Sequence, residues 1–290
     1  MAATDPWPAR VLGPGDLGRA MELSAGAGWN QVDADWRMFL ELGHLVGVDV
    51  VGDGVVGTAA TLPLGHDFGW ISMMLVAPTF RRRGIGRQLL GACVLDLAAQ
   101  GLIPGLDATP AGRELYHGFD FRDTWALTRW RCAVDQVAPA EAADEGKLEI
   151  RAATAADLDA IAALDREAFG CERRSVLARL IERAPRLATI AVGAGVPCGF
   201  LLARGGREAV QLGPIAAREA SVATALLASA VTSLASGACI DLLDRHQEVG
   251  AWLAARGFAP ERRLTRMLFR RDEPFGDARL AFAIAGPELG

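Results

Sequence analysis

The sequence predicts an α+β protein built twice: two tandem domains, each a mixed, mainly antiparallel sheet flanked by helices. Three observations carry this reading. The chain has 290 residues, and roughly 100 to 200 residues per domain makes two the natural number. It also repeats itself. RVLGPGDL starts at Arg10 and RAATAADL at Arg151, each placing Asp-Leu six residues after the Arg. FRDTWALTR runs from Phe121 and FAPERRLTR from Phe258, each placing Leu-Thr-Arg six residues after the Phe, and the offsets of 141 and 137 keep order and nearly keep register. Third, helical and strand periods alternate along the first half in the manner of a layered sheet domain.

Taken in order, the first half opens with a helix after Asp16 (LGRAMELSAGAG) and a second through DADWRMFLELG. Strands follow at LVGVDVVG and VVGTAATLPLG, with Asp53-Gly54 as the tight turn of a hairpin. A third strand, GWISMMLV, runs into RRRGIGRQLL, and the next helix shows Ile85, Leu89, Leu90, Cys93, Val94 and Leu97 at helical spacing. A short strand, LIPGLDA, then leads to Thr109-Pro110, a capping residue followed by one preset for the first helical turn. The last strand is DTWALTRWRC. VDQVAPAEAADEGK, Val134 to Lys147, is alanine-rich and acidic with little periodicity and suits a linker, which places the domains at 1–135 and 148–290.

Composition narrows the function. To residue 137 there are 11 basic and 15 acidic side chains and beyond it 19 and 20, so neither half has a nucleic-acid footprint. The cysteines (Cys93, Cys132, Cys171, Cys198, Cys239) are odd in number and lack metal-ligand spacing, which reads as reduced thiols of a cytoplasmic protein with no metal. MAATDPWPAR has no apolar signal core and no uninterrupted apolar run approaches membrane-spanning length, so no membrane partner is expected.

The arginine-glycine stretch is the strongest chemical signal. A loop between a strand and a helix points its main-chain N–H groups at whatever lies over the helix N-terminus, and those donors favour an anion, most naturally phosphate. Gly84 and Gly86 allow close approach of the main chain, and Arg81, Arg82, Arg83 and Arg87 add charge suited to phosphate oxygens. An ATP-type loop needs Gly-Lys-Ser/Thr, and a dinucleotide loop needs a third glycine where Leu89 stands. A solvated basic turn is the other reading of the segment taken alone.

Arg81-x-x-Gly84-x-Gly86, after a strand ending in Val76-x-Pro78, resembles the acyl-CoA pyrophosphate loop of the GNAT N-acetyltransferases. GLDATPAGRELYHGFDF resembles the later motif of that family, with Tyr116 five residues before Phe121. Nearly the whole chain is similar to bacterial tandem members with a second GNAT-like domain, including the ending AFAIAGPELG. Two positions depart from the pattern: Asp120 stands where Gly is common, and Thr109 where Asn often sits.

The resemblance implies acetyl-CoA as cosubstrate. It places Arg81, Arg82, Arg83, Gly84, Ile85, Gly86 and Arg87 on the pyrophosphate, Met74 and Val76 on the pantetheine arm through main-chain groups, and Thr109 beside the cofactor. The strand next to Met74 and Val76 is implied to splay away and open a slot for the thioester. Tyr116, the one tyrosine in the chain, falls at the general-acid position, and a phenol of ordinary pKa near 10 is protonated at neutral pH; an aromatic helix anchor is the plain alternative.

No carboxylate lies on WISMMLV, and Asp35, Asp67, Asp107, His66 and His117 leave the general base unassigned. GWNQVDADW suggests an acceptor wall from Trp29, Asn30 and Asp35, the acids attracting a cation and the indoles stacking on it; core tryptophans and solvated acids explain the same stretch.

The second half reads GPIAAREAS, Gly213 to Ser221, in place of the loop and Leu253 in place of the tyrosine, so it is expected to keep the fold without the chemistry. Its most distinctive cluster, Phe169 to Arg174, suits contact with substrate or partner domain, or simple packing at a helix start. The expected activity is acetyl transfer to an amine of a small molecule, directly in a ternary complex, by a monomer or homodimer. A non-catalytic acyl-CoA-binding sensor is the alternative.

Overall fold

The computed structural model describes residues 7–133 and 148–290; the segment read as a linker, 134–147, lies outside the described residues. The chain packs as two compact units, one up to Leu106 and one from Asp107 onward. Packing and repetition thus divide the chain at different places, because one strand leaves its own half of the repeat.

The first unit contains β1 (Ala9–Val11), α1 (Leu17–Gly26), α2 (Asp33–Leu42), β2 (His44–Val50), β3 (Gly54–Leu64), β4 (Phe68–Val76), α3 (Ile85–Ala99) and the start of β5 (Ile103–Ala108). The strands lie in the order β1 to β5, antiparallel except for the parallel pair β4–β5. β1 escaped the sequence reading because three residues are too few to show a period. β3 is buried along nearly its whole length, so both of its faces are covered. One face takes α3: a Cβ on Gly57 would stand 2.9 Å from the Ile85 side chain, and one on Gly69 would run into Leu97. Leu89, Leu90, Cys93 and Leu97 of α3 are fully buried there, at about 1.5–3 kcal/mol for each large apolar side chain. α1 and α2 pack on the same strands and cover the other face.

The second unit contains α4 (Pro110–His117), β6 (Phe121–Cys132), β7 (Leu148–Ala152), α5 (Leu158–Phe169), α6 (Arg174–Arg183), β8 (Thr189–Gly193), β9 (Val196–Arg204), β10 (Val210–Ala217), α7 (Ala220–Thr232), β11 (Ala238–Leu243), α8 (Gln247–Ala254), β12 (Ala259–Phe269) and β13 (Ala281–Ala283). Its strands lie in the order β12-β6-β11-β13-β10-β9-β8-β7. β6, the last strand of the first repeat, sits between two strands of the second. It pairs antiparallel with β12 from Phe121↔Phe269 to Arg131↔Ala259, and with β11 from Leu127↔Leu243 to Cys132↔Ala238.

Both repeated motifs turn out to be ion pairs. Arg10 donates to the two oxygens of Asp16 at 2.7 and 3.0 Å, and Asp16 also accepts from the Gly13 N–H at 2.8 Å. Arg151 and Asp157 repeat this at 2.6 and 2.9 Å, with the Thr154 N–H at 2.9 Å. The two Leu-Thr-Arg strings end in buried guanidiniums: Arg129 holds Asp241 at 2.6 and 2.8 Å, and Arg266 holds Asp107 at 2.9 and 3.0 Å. Each arginine belongs to one repeat and its aspartate to the other.

Candidate active site

In the first unit the candidate site is built on β4, which carries two irregularities. Thr58 pairs with Leu75 while Ala60 pairs with Ser72, so Ala59 faces both Met73 and Met74. This β-bulge releases a main-chain group from the ladder. Met73 takes φ +53° to make it, a conformation that is costly for an unbranched non-glycine side chain and persists only when its surroundings enforce it. The Thr58 hydroxyl does so by donating to the Met73 carbonyl at 2.9 Å. The second irregularity is on the opposite edge: β4 pairs with β5 at Phe68↔Ile103, Gly69↔Pro104 and Trp70↔Gly105. Beyond Trp70, among the described residues, β4 pairs with β3 alone. The edge from Ile71 to Val76 can therefore pair with an extended ligand, as an added strand would. Met74 and Val76, half-buried, lie on this stretch.

β4 then feeds a loop of eight residues before α3 begins at Ile85. The Ala77 N–H donates to the Val56 carbonyl at 2.8 Å and Pro78 to Phe80 form a short 3-10 turn. Arg81 turns back so that its Nε donates to the Val76 carbonyl at 3.1 Å, which fixes the end of the strand. The Arg83 guanidinium lies 5.1 Å from the centre of the Phe80 ring. Gly84 is the N-cap of α3 at φ +90°, with open space where a Cβ would stand, so glycine is required here by the backbone rather than by packing. Arg81, Arg82, Arg83 and Arg87 are exposed. Cations at a helix N-terminus oppose the dipole by about 0.3–1 kcal/mol each. Four of them around an N-terminus without a side-chain cap fit a bound anion.

The helix before β6 belongs to the second unit. Thr109 caps α4 by accepting from the Gly112 N–H at 3.3 Å. Tyr116 is half-buried one turn further on, its ring 6.1 Å from that of Phe121 and packed so near Gly112 that a Cβ there would come within 2.9 Å. Asp120 adopts φ +64°, which explains why glycine suits this position and why aspartate, a residue that tolerates the left-handed region, can replace it. Its carboxylate pairs with Arg270 at 2.9 Å.

Several candidates take other duties. Asp35 is fully buried and accepts from the Val32 N–H at 2.8 Å, closing the N-terminus of α2; the structure thus gives it a capping role where a cation-attracting one was expected. Trp29 is half-buried, and Asn30 and Trp36 are buried. Asp107 is held in its buried ion pair with Arg266, and burial raises its pKa against the pull of that guanidinium. The His117 Nδ1 lies 3.1 Å from the Phe121 carbonyl. The Phe169–Arg174 cluster serves packing: Arg173 stacks 3.7 Å over Phe169, holds both oxygens of Asp165 at 2.8 Å and donates to the Leu289 carbonyl at 2.9 Å.

In the second unit only Arg218 and Glu219 separate β10 from α7. Arg218 is paired with Glu167 at 2.6 and 2.9 Å, and Glu219 is the N-cap. Leu253 is fully buried. Among the described residues no His, Cys, Asp and Glu side chains gather as a metal site requires, and no helix is long and apolar enough to cross a membrane.

A bulged strand with a free edge, followed by a loop of exposed arginines and a helix start without a side-chain cap, defines a mixed-sheet domain able to hold a strand-like ligand that ends in an anion. Models of the acetyltransferase (GNAT) domain match residues 42–123 and again residues 161–283, between them most of the chain. The chain belongs to the GNAT acetyltransferase family, as a tandem N-acetyltransferase. It is similar over 93% of its length to the uncharacterized N-acetyltransferase YitH of Bacillus subtilis, at 22% identity and over 94% of that protein. A candidate acetyltransferase of Pyrococcus horikoshii has the same fold, with a TM-score of 0.81 at 18% identity, covering 100% of this chain and 98% of that one. So has a tandem GNAT protein from the clavulanic acid biosynthesis pathway, with a TM-score of 0.67 at 18% identity, covering 90% and 98%.

Proposed function

We propose that the protein moves an acetyl group from acetyl-CoA to the amine of a small molecule, directly in a ternary complex, with the first repeat carrying the chemistry. The observation that carries the reading is the bulged, open edge of β4 leading into the glycine-capped N-terminus of α3. Main-chain groups of Met74 and Val76 would pair with the amides of the pantetheine arm. The first-turn N–H groups of α3, from Ile85 and Gly86 onward, would receive the pyrophosphate, with Arg82, Arg83 and Arg87 supplying charge. Arg81 positions the strand end through Val76, and Thr109 acts through the cap of α4.

In the reaction a neutral amine attacks the thioester carbonyl. The C–N bond forms, the C–S bond breaks, the amine loses a proton to a base or to solvent, and the thiolate takes a proton from the Tyr116 phenol. Trp29 and Asn30 remain the acceptor-side residues of this proposal. A sensor that binds acyl-CoA without transferring it is the second reading, favoured by the lack of a carboxylate on β4.

The test is calorimetric titration of acetyl-CoA into the wild type and a Gly84→Glu variant, followed by thiol release with a panel of small amines. Binding lost in the variant, together with amine-dependent thiol release, is expected. Binding without release from any amine supports the sensor, and no binding overturns both readings.

A further inference from the structure

The two repeats each contain a fork, and in the second the fork is filled. β10 and β11 run parallel for three pairs, Val210↔Ala238, Gln211↔Cys239 and Leu212↔Ile240, as β4 and β5 do, and then separate at Gly213. β13 enters there, pairing antiparallel with β10 at Ile215↔Ala283 and Ala216↔Ala281 and with β11 at Leu242↔Ala283. The Ile284 N–H donates to the Asp241 carbonyl at 3.1 Å and the Ala217 N–H to the Leu280 carbonyl at 3.0 Å. Gly213, at φ +137°, has no room for a Cβ against the Ile284 carbonyl.

The insert is also clamped. Phe282, Ala283, Ile284, Ala285 and Leu289 are buried. His246 Nε2 lies 2.9 Å from both the Ala278 and Ala281 carbonyls, so this nitrogen carries the proton and donates, and its ring stacks 3.9 Å from that of Phe282. Glu288, buried, is ion-paired with buried Arg204, and Arg173 donates to the carbonyls of Leu289 and Gly290.

We infer that residues 281–284 are a built-in occupant of the second fork, fixed in place of a ligand, and that they close this repeat to acyl-CoA. A forked strand pair buried in a domain leaves main-chain donors and acceptors that something must satisfy. Here the chain satisfies them itself. Acyl-CoA has no means of displacing the insert, because the arginine-glycine loop is reduced to a paired arginine and an acidic cap. The stoichiometric part of the inference, one acyl-CoA per chain, rests on the reading of the first repeat as the acyl-CoA site; the occupancy of the second fork does not.

Hydrogen–deuterium exchange read by mass spectrometry, with and without saturating coenzyme A, tests the occupancy on the full chain. Peptides spanning 280–285 are expected to exchange about a thousandfold more slowly than an unstructured segment, as sheet interiors do, and to be unchanged by coenzyme A. Fast exchange without ligand, or release of these peptides on adding coenzyme A, overturns the inference. A Glu288→Gln variant is expected to speed exchange at 280–290 while the number of coenzyme A molecules bound stays as in the wild type; a gain of one per chain in the variant also overturns it. Failure of the wild type to bind coenzyme A at all would sink the acetyltransferase proposal and leave the exchange result to decide this one.

Discussion

Replacing Arg129 by leucine strikes the most deeply buried contact that β6 makes with β11. The Arg129 side chain is 7% exposed and that of Asp241 fully buried. Burial lowers the guanidinium pKa, but the charge and hydrogen bonds of Asp241 outweigh it and hold the group above its ordinary value. Two charge-assisted hydrogen bonds, at 2.6 and 2.8 Å, disappear in Arg129→Leu, at about 1.5–3 kcal/mol each. Asp241 keeps the Gln211 Nε2 donor at 3.1 Å. The sum agrees with the roughly 3–5 kcal/mol lost when one member of a buried pair is removed.

Asp241→Leu should cost about as much, because it strands the cation instead. The double variant should recover most of the loss, since an apolar pair carries no desolvation penalty, so the coupling should exceed about 2 kcal/mol. Urea unfolding followed by tryptophan fluorescence reads all four proteins, with Trp125 and Trp130 on β6 itself. A single variant within about 1 kcal/mol of wild type, or a double variant as weak as the sum of the singles, would refute the reasoning.

Tyr116→Phe should lower turnover by about 10²–10⁴-fold, the range for a general acid, while leaving acetyl-CoA affinity near wild type; equal turnover in steady-state assays would remove the role. The His246 pKa is lowered chiefly by burial, against the backbone carbonyls that raise it. The unfolded chain therefore takes up the proton first, and the stability this site contributes is complete above about pH 6.5 and is lost as pH falls below it. Urea midpoints from pH 8 to 5.5 should fall more steeply for wild type than for His246→Gln, and parallel curves would count against it. Fragments 1–135 and 148–290 expressed separately should be insoluble or unfolded by circular dichroism, because β6 lacks both neighbours in the first and, in the second, its absence bares one edge of β11 and removes the long pairing with β12. Mixed on refolding they should recover the native spectrum, and a well-folded 148–290 fragment would contradict the strand order.

What the sequence revealed follows from the range of the interactions concerned. Helix starts and the hairpin depend on neighbours within a few residues, so they were legible, although the turn lies at 51–53, with Gly54 already paired to Val50, rather than at Asp53-Gly54. Gly84 stood out for close main-chain approach, and the structure adds that it is the helix N-cap. The repeated Arg10–Asp16 and Arg151–Asp157 spacings were visible because one short ion pair fixes them. The seat of β6 was not, since its strand pattern suits either sheet and its partners lie over a hundred residues away. Nor was β13: AFA has no alternation to mark a strand, and its place depends on a fork made elsewhere. Asp35 left two readings open because a carboxylate three residues into a helix signals its cap and a surface charge equally well. At the site, composition located the arginines, but only the structure gives the bulge at Met73 and the Thr58 hydroxyl that holds it.

The paired arginines and aspartates pose a problem of self-recognition. The two arginines are counterparts at the offset of 137 residues, but their partners are not: Asp107 has Asp244 as its counterpart, and Asp241 has Pro104. The seats of the two arginines are therefore built differently, and the difference extends to the surroundings. Around Asp241 these are an amide and a thiol, Gln211 and Cys239, hydrogen-bonded to each other at 3.2 Å. Around Arg266 they are two rings, Trp125 at 5.0 Å and Phe169 at 5.3 Å. The copies agree in the arginine that must be neutralised and differ in the residues that neutralise and surround it.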